Sequence, residues 1–279
     1  MAEFLNCDDN VSPLLSVITV CLNCKEDFQD TVESLSNQTF KDYEFIVKDG
    51  GSTDGTQDII FNVGADIVLS ETDGGVFDAM NQALELASGE FIYFLNAGDV
   101  LYDNGVLENV ATSIRESRSS IDFYYSDIVK PYARRKFLTH PKKLSEYYLF
   151  SRGLCHQSWF LRRKVYIQSH GFSDYFKEEN VELGGDYFFL LEIFLNYKIE
   201  SKHIPIFSAI YKGGGISTEP YMLSKRLKFE RRVKRRLFGP FKYRLYQSIC
   251  SIEKLLKTLF YDKYLYLLIR KINRLKRDL

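Results

Sequence analysis

The chain has 279 residues, of which 45% are hydrophobic and 27% are charged. This composition is typical of a folded globular protein and excludes a disordered chain. The formal net charge is +0, but residues 225–279 hold 18 Lys and Arg against 4 Asp and Glu. Residues 1–224 therefore carry a net charge of −14 and the C-terminal segment carries +14. This asymmetry predicts an acidic body joined to a basic element that meets an anionic partner.

The sequence also bears on the compartment. The N-terminal residues, MAEFLNCDDN, are acidic and lack the apolar core of a signal peptide, and no run approaches the ~20 apolar residues that span a bilayer. The five cysteines are odd in number and scattered, which favours a reducing compartment. We expect a cytoplasmic protein.

Strand and helix patterns alternate through the first 130 residues. Apolar and β-branched runs, typical of strands, lie at 14–21, 43–48, 65–70, 91–95 and 123–129. Helical spacing of apolar residues lies between them, at 28–35, 53–61 and 78–87. This order predicts an α/β fold whose mainly parallel central sheet has right-handed crossovers and flanking helices.

Polar residues follow three of the predicted strands. Asp49 ends the second strand, Glu71-Thr72-Asp73 follows the third, and Asn96 with Asp99 follows the strand at 91–95. Because ligands bind beyond the carboxyl ends of parallel strands, these residues predict one shared site. The alternative for Asp49 is a cap for the helix that follows it.

The sequence lacks the motifs of several common nucleotide-binding and catalytic sites, which excludes those sites. The turns after the first two strands lack the G-x-G-x-x-G spacing of dinucleotide enzymes, and there is no G-x-x-x-x-G-K-[ST] phosphate loop. A G-x-S-x-G nucleophile turn is also missing, which excludes an esterase of that type. A nucleotide, if one binds, is therefore held by side chains and not by a glycine cradle.

From residue 225 onward the chain has the pattern of basic amphipathic helices, interrupted at Gly239-Pro240. We therefore divide the chain into an α/β domain at 1–224 and a basic helical extension at 225–279. The extension has three interpretations: a helix on the domain's own core, a nucleic-acid-binding element, or a helix on an anionic membrane. No nucleic-acid recognition motif accompanies it, so nucleic acid is not the expected partner.

Five motifs carry a resemblance. They are SVITVCLN (16–23), YEFIVKDGGSTDGT (43–56), SETDGGVFDAMNQALELASGEFIYFLNAGD (70–99), CHQSWFLRR (155–163) and GGDYFF (184–189). In this order they resemble the family 2 inverting glycosyltransferases of the GT-A fold, especially those of bacterial capsule, O-antigen and exopolysaccharide synthesis. The resemblance implies transfer of a hexose from a nucleotide-diphosphate sugar, with UDP as the expected nucleotide, to a glycan hydroxyl.

The resemblance also implies roles for individual residues. Asp186 is the expected general base, with a helix cap as the alternative and Glu179 or Glu182 as substitutes. Asp99 is the expected ligand of Mg²⁺ or Mn²⁺, since Asn96 and Gly98 stand where the family has Asp-x-Asp. Donor-binding roles are implied for Thr19, Asn23, Asp49, Gly50, Ser52, Asp73, Asn81, Asn96, His156 and Gln157.

The partners follow from the same resemblance. We expect a nucleotide-sugar donor, a glycan acceptor linked to polyprenyl diphosphate, and an anionic membrane surface that meets residues 225–279 at the inner face of the cell membrane. Two alternatives remain open. They are a non-catalytic nucleotide-sugar-binding subunit, because Asp-x-Asp is missing, and a nucleic-acid-binding protein that acts through the basic extension.

Overall fold

The computed structural model describes residues 12–117, 120–131, 137–169, 171–172, 184–213 and 220–259, with side chains in the last helix described from 227 to 255. Glu179 and Glu182, the substitute candidates for the base, lie outside these residues.

The first half of the sheet is parallel, as predicted. It consists of β1 (Leu15–Cys21), β2 (Tyr43–Asp49), β3 (Ile67–Ser70) and β4 (Phe91–Phe94), in the order β3-β2-β1-β4. The crossovers contain α1 (Lys25–Ser36), α2 (Thr56–Ile60) and α3 (Val76–Leu86). All seven residues of β1 are buried, with side chains in the cores on both faces, which explains its continuous apolar pattern.

Antiparallel pairs extend the sheet beyond β4. The strands are β5 (Asp99–Leu101), β6 (Phe123–Val129), β7 (Phe137–Leu138), β8 (Trp159–Arg162) and β9 (Ser201–Tyr211), and the full order is β3-β2-β1-β4-β8-β6-β9-β5 with β7 beside β6. Only β6 was predicted from its sequence. Trp159 is buried in β8.

Five further helices pack around this sheet. They are α4 (Val106–Glu116), α5 (Glu146–Ser151), α6 (Arg163–Gln168), α7 (Gly185–Asn196) and α8 (Pro220–Leu259). One core lies between the sheet and α3, α5, α6, α7 and α8, and the other lies beneath α1, α2 and α4.

The basic helix α8 packs on the α/β body. It begins at Pro220, before the predicted boundary at 224. It bends at Gly239, which has a φ of 70° and is followed in the chain by Pro240. Phe229 and Phe238 are 4% and 6% exposed, and the ring of Phe229 lies 4.7 Å from that of Phe188 in α7. Part of the predicted extension therefore belongs to the core of the body, while the two-domain division stays a prediction.

The opposite face of α8 is open. Phe241 is 79% exposed, and Leu245, Ile252 and Leu255 are also exposed. Among the residues that the structure describes, no helix has the length and apolarity to cross a membrane.

Candidate functional site

The predicted site residues lie at one edge of the sheet because their strands point the same way. β1, β2, β3 and β4 are parallel, and β6 is aligned with β4 because both pair antiparallel with β8. Asp49, Ser70 and Val129 end three of these strands, so the loops that follow them share this edge.

Asp49 lies at the centre of a buried hydrogen-bond network. Its carboxylate accepts from Ser52 (N and Oγ, Oγ at 2.5 Å), from Ser70 Oγ at 2.7 Å and from Gln57 Nε2 at 3.1 Å. Burial raises the pKa of Asp49, but these donors outweigh it and lower the pKa below its ordinary value. The capping alternative has no support, because α2 begins at Thr56 with Gly55 at its N-cap and without a side-chain cap bond, and the contact with a nucleobase stays a prediction.

A buried cation, missed at the sequence level, supports Asp73. Lys48 is completely buried, and its Nζ donates to Asp49 O at 2.8 Å, to Glu71 O at 2.6 Å and to Asp73 Oδ2 at 3.1 Å. All three ammonium hydrogens therefore join the end of β2 to the loop after β3. Gly50 lies against the same carboxylate, because a Cβ there would lie 2.9 Å from Asp73 Oδ2.

A second cluster contains Asp99 and Asp186, for which the resemblance implies the roles of metal ligand and general base. His156 Nδ1 lies 3.3 Å from Asp186 Oδ2, and its Nε2 lies 4.0 Å from Asp99 Oδ2 and 3.3 Å from Asn96 Nδ2. The Nδ1–H of His156 donates to Asp186, and Nε2 lies within hydrogen-bond distance of the Asn96 amide. Gln157 Nε2 donates to Asp99 Oδ2 at 2.8 Å.

The two acids have opposite pKa shifts. Burial raises the pKa of Asp99 to about 6, although His156 and Gln157 oppose this. Burial also raises the pKa of Asp186, but the hydrogen bond and charge of His156 and the backbone N–H of Tyr187 bring it below its ordinary value. Asp186 is therefore an ionised carboxylate near neutral pH, as a proton acceptor needs to be.

Comparison with known proteins identifies the family. The profile described as "Glycosyl transferase family 2" matches residues 16–169, which is more than half of the chain. The chain belongs to glycosyl transferase family 2. The resemblance read from the motifs is thereby confirmed.

Two relatives show the range of this likeness. A PGL/p-HBAD biosynthesis glycosyltransferase of Mycobacterium bovis is 37% identical over 160 residues, which cover 56% of this chain and 61% of the relative. WfaP of Escherichia coli, named UDP-Glc:alpha-D-GlcNAc-diphosphoundecaprenol beta-1,3-glucosyltransferase, is 38% identical over 89 residues, or 31% of this chain and 36% of WfaP. The chain thus spans about three fifths, or less, of the lengths of these curated relatives.

Solved structures confirm the predicted GT-A fold class. Residues 1–349 of S. aureus TarS, in complex with UDP-GlcNAc, superpose with a TM-score of 0.60 at 18% identity, covering 81% of this chain and 66% of that one. The mannosyltransferase PcManGT of Pyrobaculum calidifontis, in complex with GDP-Man and Mn²⁺, gives a TM-score of 0.55 at 14% identity, covering 96% and 81%.

Not every residue with a predicted donor-binding role lies among the polar side chains at the carboxyl edge of the sheet. Asn23 does, since its N–H donates to Ser52 Oγ and its Oδ1 accepts from Thr53 N. Thr19 does not: it is completely buried and its hydroxyl donates to Leu95 O at 2.7 Å, so its donor contact stays a prediction without support from these contacts.

Asn81 has a different environment from the one predicted. Its Nδ2 donates to Phe172 O and its Oδ1 accepts from Phe172 N, both at 2.8 Å. The side chain thus braces the segment at Gly171, where a Cβ would lie 2.5 Å from Asn81 Oδ1. Its predicted donor role has no support from these contacts.

The residues near Asp99 fit a hard divalent cation. Asn96 Oδ1 is buried and has no hydrogen-bond partner, and it belongs to the side chain that bonds His156 beside Asp99. Oxygen ligands of this kind suit Mg²⁺ or Mn²⁺, which also use substrate phosphates and waters. Among the described residues there is no group of three or more His, Cys, Asp or Glu that could hold a metal alone. The donor set is therefore compatible with a metal that binds together with a phosphate-bearing ligand.

The Lys48 network leads to a stability prediction. We expect Lys48→Met to lower the free energy of unfolding by about 3–5 kcal/mol, because it leaves Asp73 and two carbonyl groups without their buried cation. The affinity for a nucleotide should fall as well. Urea unfolding and calorimetric titration with UDP measure the two effects.

The matched control is Arg115→Ala, which breaks the exposed ion pair with Asp42 and should change stability by less than about 1 kcal/mol. If Lys48→Met unfolds at the wild-type urea concentration, the buried lysine does not stabilise this edge of the sheet.

Proposed function

We propose that the chain is an inverting glycosyltransferase. It moves a hexose from a nucleotide-diphosphate sugar, a UDP-sugar as the preferred donor, to a hydroxyl of a lipid-linked glycan in bacterial surface polysaccharide synthesis. The observation that carries this proposal is the joining of Asp99 and Asp186 through the single imidazole of His156 at the carboxyl edge of the sheet. The names of WfaP and of TuaG, a putative teichuronic acid biosynthesis glycosyltransferase of Bacillus subtilis, support the substrate class.

The arrangement suits a single in-line displacement. Asp186 accepts the proton of the acceptor hydroxyl, and the acceptor oxygen forms a new bond to the anomeric carbon. The bond from that carbon to the diphosphate oxygen breaks, and its electron pair leaves with the diphosphate. His156 and the Tyr187 N–H hold the two oxygens of Asp186 and fix its orientation.

A divalent cation, when bound, supplies positive charge that stabilises the departing diphosphate. Asp99 and Asn96 would hold it, with Gln157 orienting Asp99. The cation would therefore lie near Nε2 of His156, and the base lies near Nδ1.

One second function is favoured by a specific observation. Asn96 and Gly98 stand where carboxylates are expected, so a subunit that binds a nucleotide sugar without transferring it is the competing proposal. Both proposals require donor binding, and only the first requires Asp186 as a base.

The direct test is a thermal-shift screen with a panel of UDP-, GDP- and dTDP-sugars, each with and without Mg²⁺ or Mn²⁺. A true donor at about 100 times its Kd should stabilise the fold by about 2.7 kcal/mol. Product analysis with the best donor and a polyprenyl-diphosphate-linked glycan then tests transfer and inversion. Absence of stabilisation by every sugar nucleotide would contradict both proposals.

We also propose that the outer face of α8 rests on an anionic membrane surface at the cytoplasmic side. The exposed apolar residues Phe241, Leu245 and Ile252 lie on a segment whose net charge is +14. Each basic residue near an anionic leaflet contributes about 1 kcal/mol, and apolar side chains add burial in the interface.

Flotation with phosphatidylglycerol vesicles tests the membrane surface. The double variant Phe241→Glu, Ile252→Glu should lose most of the bound fraction, since it places two negative charges on the apolar face. Point substitutions are required because deletion of residues 225–279 would remove Phe229 and Phe238 from the core.

The control is Phe61→Glu, at a residue 66% exposed just after α2, which should float like the wild type. Equal flotation of the α8 variant, or tight binding to duplex DNA in place of vesicles, would contradict the membrane proposal.

A further inference from the structure

A lysine outside all the predicted sites lies beside Asp99. Val129, the last residue of β6, is level with Ile210 of β9, so the next residue, Lys130, is level with Tyr211. Tyr211 in turn pairs with Asp99 of β5. Residues level with each other on adjacent strands point to the same face, so Lys130, Tyr211 and Asp99 form one row across the sheet.

The side chain of Lys130 is directed toward this row. Its Nζ lies 5.1 Å from the centroid of the Tyr211 ring, a distance at which the ring face attracts a cation. Its charge lowers the pKa of Asp99, and together with a hydrogen bond it also acts on the thiol of Cys155, although burial keeps the pKa of Cys155 raised. Cys155 directly precedes His156, so the ammonium group lies at the same cluster as the two acids.

Lys130 differs from the other lysines of this region in its ion pairing. Lys48 is paired with Asp73, and Lys212 is paired with Asp30. For Lys130, no carboxylate of the described residues lies within the 4.0 Å of a salt bridge. Tyr211 thus holds a half-buried ammonium group that has capacity for a further anionic partner.

The charge of the site indicates what that partner is. A divalent cation held by the Asp99 carboxylate and the neutral Asn96 amide would keep a single net positive charge, which is less than the negative charge of a departing diphosphate. Cationic side chains near a diphosphate stabilise the charge that develops on it, and lysine supplies a compact charge with three donors. A cation at Lys130 would offset the remaining charge.

We propose that Lys130 binds a diphosphate group in the cleft beside Asp99. This inference rests on the proposed transferase function. Two sources share this chemistry, the diphosphate of the nucleotide donor and the diphosphate that links the acceptor to its lipid. The experiment separates them.

The donor arm compares UDP with UMP by calorimetric titration at fixed Mg²⁺, using wild type, Lys130→Met and Lys130→Arg. If the donor supplies the diphosphate, Lys130→Met weakens UDP binding by about ten- to a hundredfold and changes UMP binding much less. Lys130→Arg keeps the charge and restores most of the affinity.

The acceptor arm applies if UDP binding is unchanged in Lys130→Met. The KM for a polyprenyl-diphosphate-linked glycan should then rise about tenfold or more. The KM for the same glycan on a carrier without phosphate should not change. Either result supports diphosphate binding by Lys130 and shows whether the diphosphate belongs to the donor or to the acceptor.

The matched control is Lys164→Met. Lys164 is 56% exposed and paired with Asp122, and it follows β8, whose carboxyl end lies at the opposite edge of the sheet. If Lys130→Met and Lys164→Met behave alike in both arms, the inference is overturned. Lys130→Gln replaces the methionine variant if thermal unfolding shows that Lys130→Met does not fold.

Failure of the proposed function has a different signature. In that case the wild type itself binds neither UDP nor any sugar nucleotide, and both proposals fall. If the wild type binds and transfers while Lys130→Met matches it in every constant, only the role of Lys130 is lost.

Discussion

Asp186→Asn is expected to lower kcat by about a hundred- to ten-thousandfold while leaving the Kd of the donor within about threefold. Asparagine keeps the shape of the side chain, and its Oδ1 can still accept from the Tyr187 N–H, but an amide nitrogen replaces the oxygen that faces His156 and the side chain cannot accept the proton of the acceptor hydroxyl. Steady-state kinetics at saturating donor and acceptor measure the first quantity, and titration with UDP-sugar measures the second.

Glu192→Gln is the control for this substitution. Glu192 is a half-buried carboxylate in the same helix, α7, nearly two turns beyond Asp186. The Glu192→Gln variant should lose one negative charge and keep the kcat of the wild type. Wild-type turnover in Asp186→Asn would remove Asp186 as the base and favour the non-catalytic subunit.

Asp99→Asn is expected to raise stability and lower activity together. Burial raises the pKa of Asp99 from 3.8 to about 6, so between these values the folded protein keeps a proton that the unfolded chain has released. The free energy of unfolding should therefore fall as the pH rises through this window, by at most about 3 kcal/mol for a shift of this size. Asparagine stays neutral and avoids this loss.

The stability effect has a defined pH dependence. In urea unfolding with EDTA present, Asp99→Asn should be more stable than the wild type at about pH 7, and the difference should shrink toward about pH 4, where Asp99 is protonated in both states. Gln157→Ala is the comparison, because it removes the neutral donor to Asp99 while keeping the carboxylate. A constant difference at all pH values would mean that ionisation of Asp99 is not its cause.

The activity effect concerns the metal. Asp99→Asn should need a much higher Mg²⁺ concentration for half-maximal transfer, because a neutral amide oxygen binds a hard cation more weakly than a carboxylate does. An unchanged Mg²⁺ dependence would show that the cation, if required, is held elsewhere.

The parallel part of the fold was predictable because its sequence has one strong periodic signal. β1 reads as an unbroken apolar run since both its faces are covered, and the polar residues that stop β2, β3 and β4 mark the site edge. Apart from β6, the strands of the antiparallel half gave no such signal. β5 has three residues and β7 has two, so neither shows an alternating pattern, and pairing with distant strands decides their conformation.

The site was predictable in its acids and less so in its cations. The motifs imply roles for Asp49, Asp99 and Asp186, whereas they imply none for Lys48, which lies within the second motif, or for Lys130, which lies outside all five. Their roles depend on which loops lie beside them, and this is set by the order of the strands in the sheet. The environment of Thr19 was not predictable for a related reason. Its motif marks the end of β1, but the direction of the side chain places it in the interior.

The packing of α8 against α7 determines how far Asp186 lies from the exposed face of α8. Phe188 follows Asp186 by two residues in α7, and its ring packs against Phe229 of α8, so the proposed base lies close to the contact between α7 and the basic helix. If α8 rests on a membrane and Asp186 is the base, as proposed, this packing sets the height of the reacting hydroxyl above the membrane surface. An acceptor whose glycan is one sugar too short or too long would hold its hydroxyl at the wrong level, and chain length would become a criterion of acceptor selection.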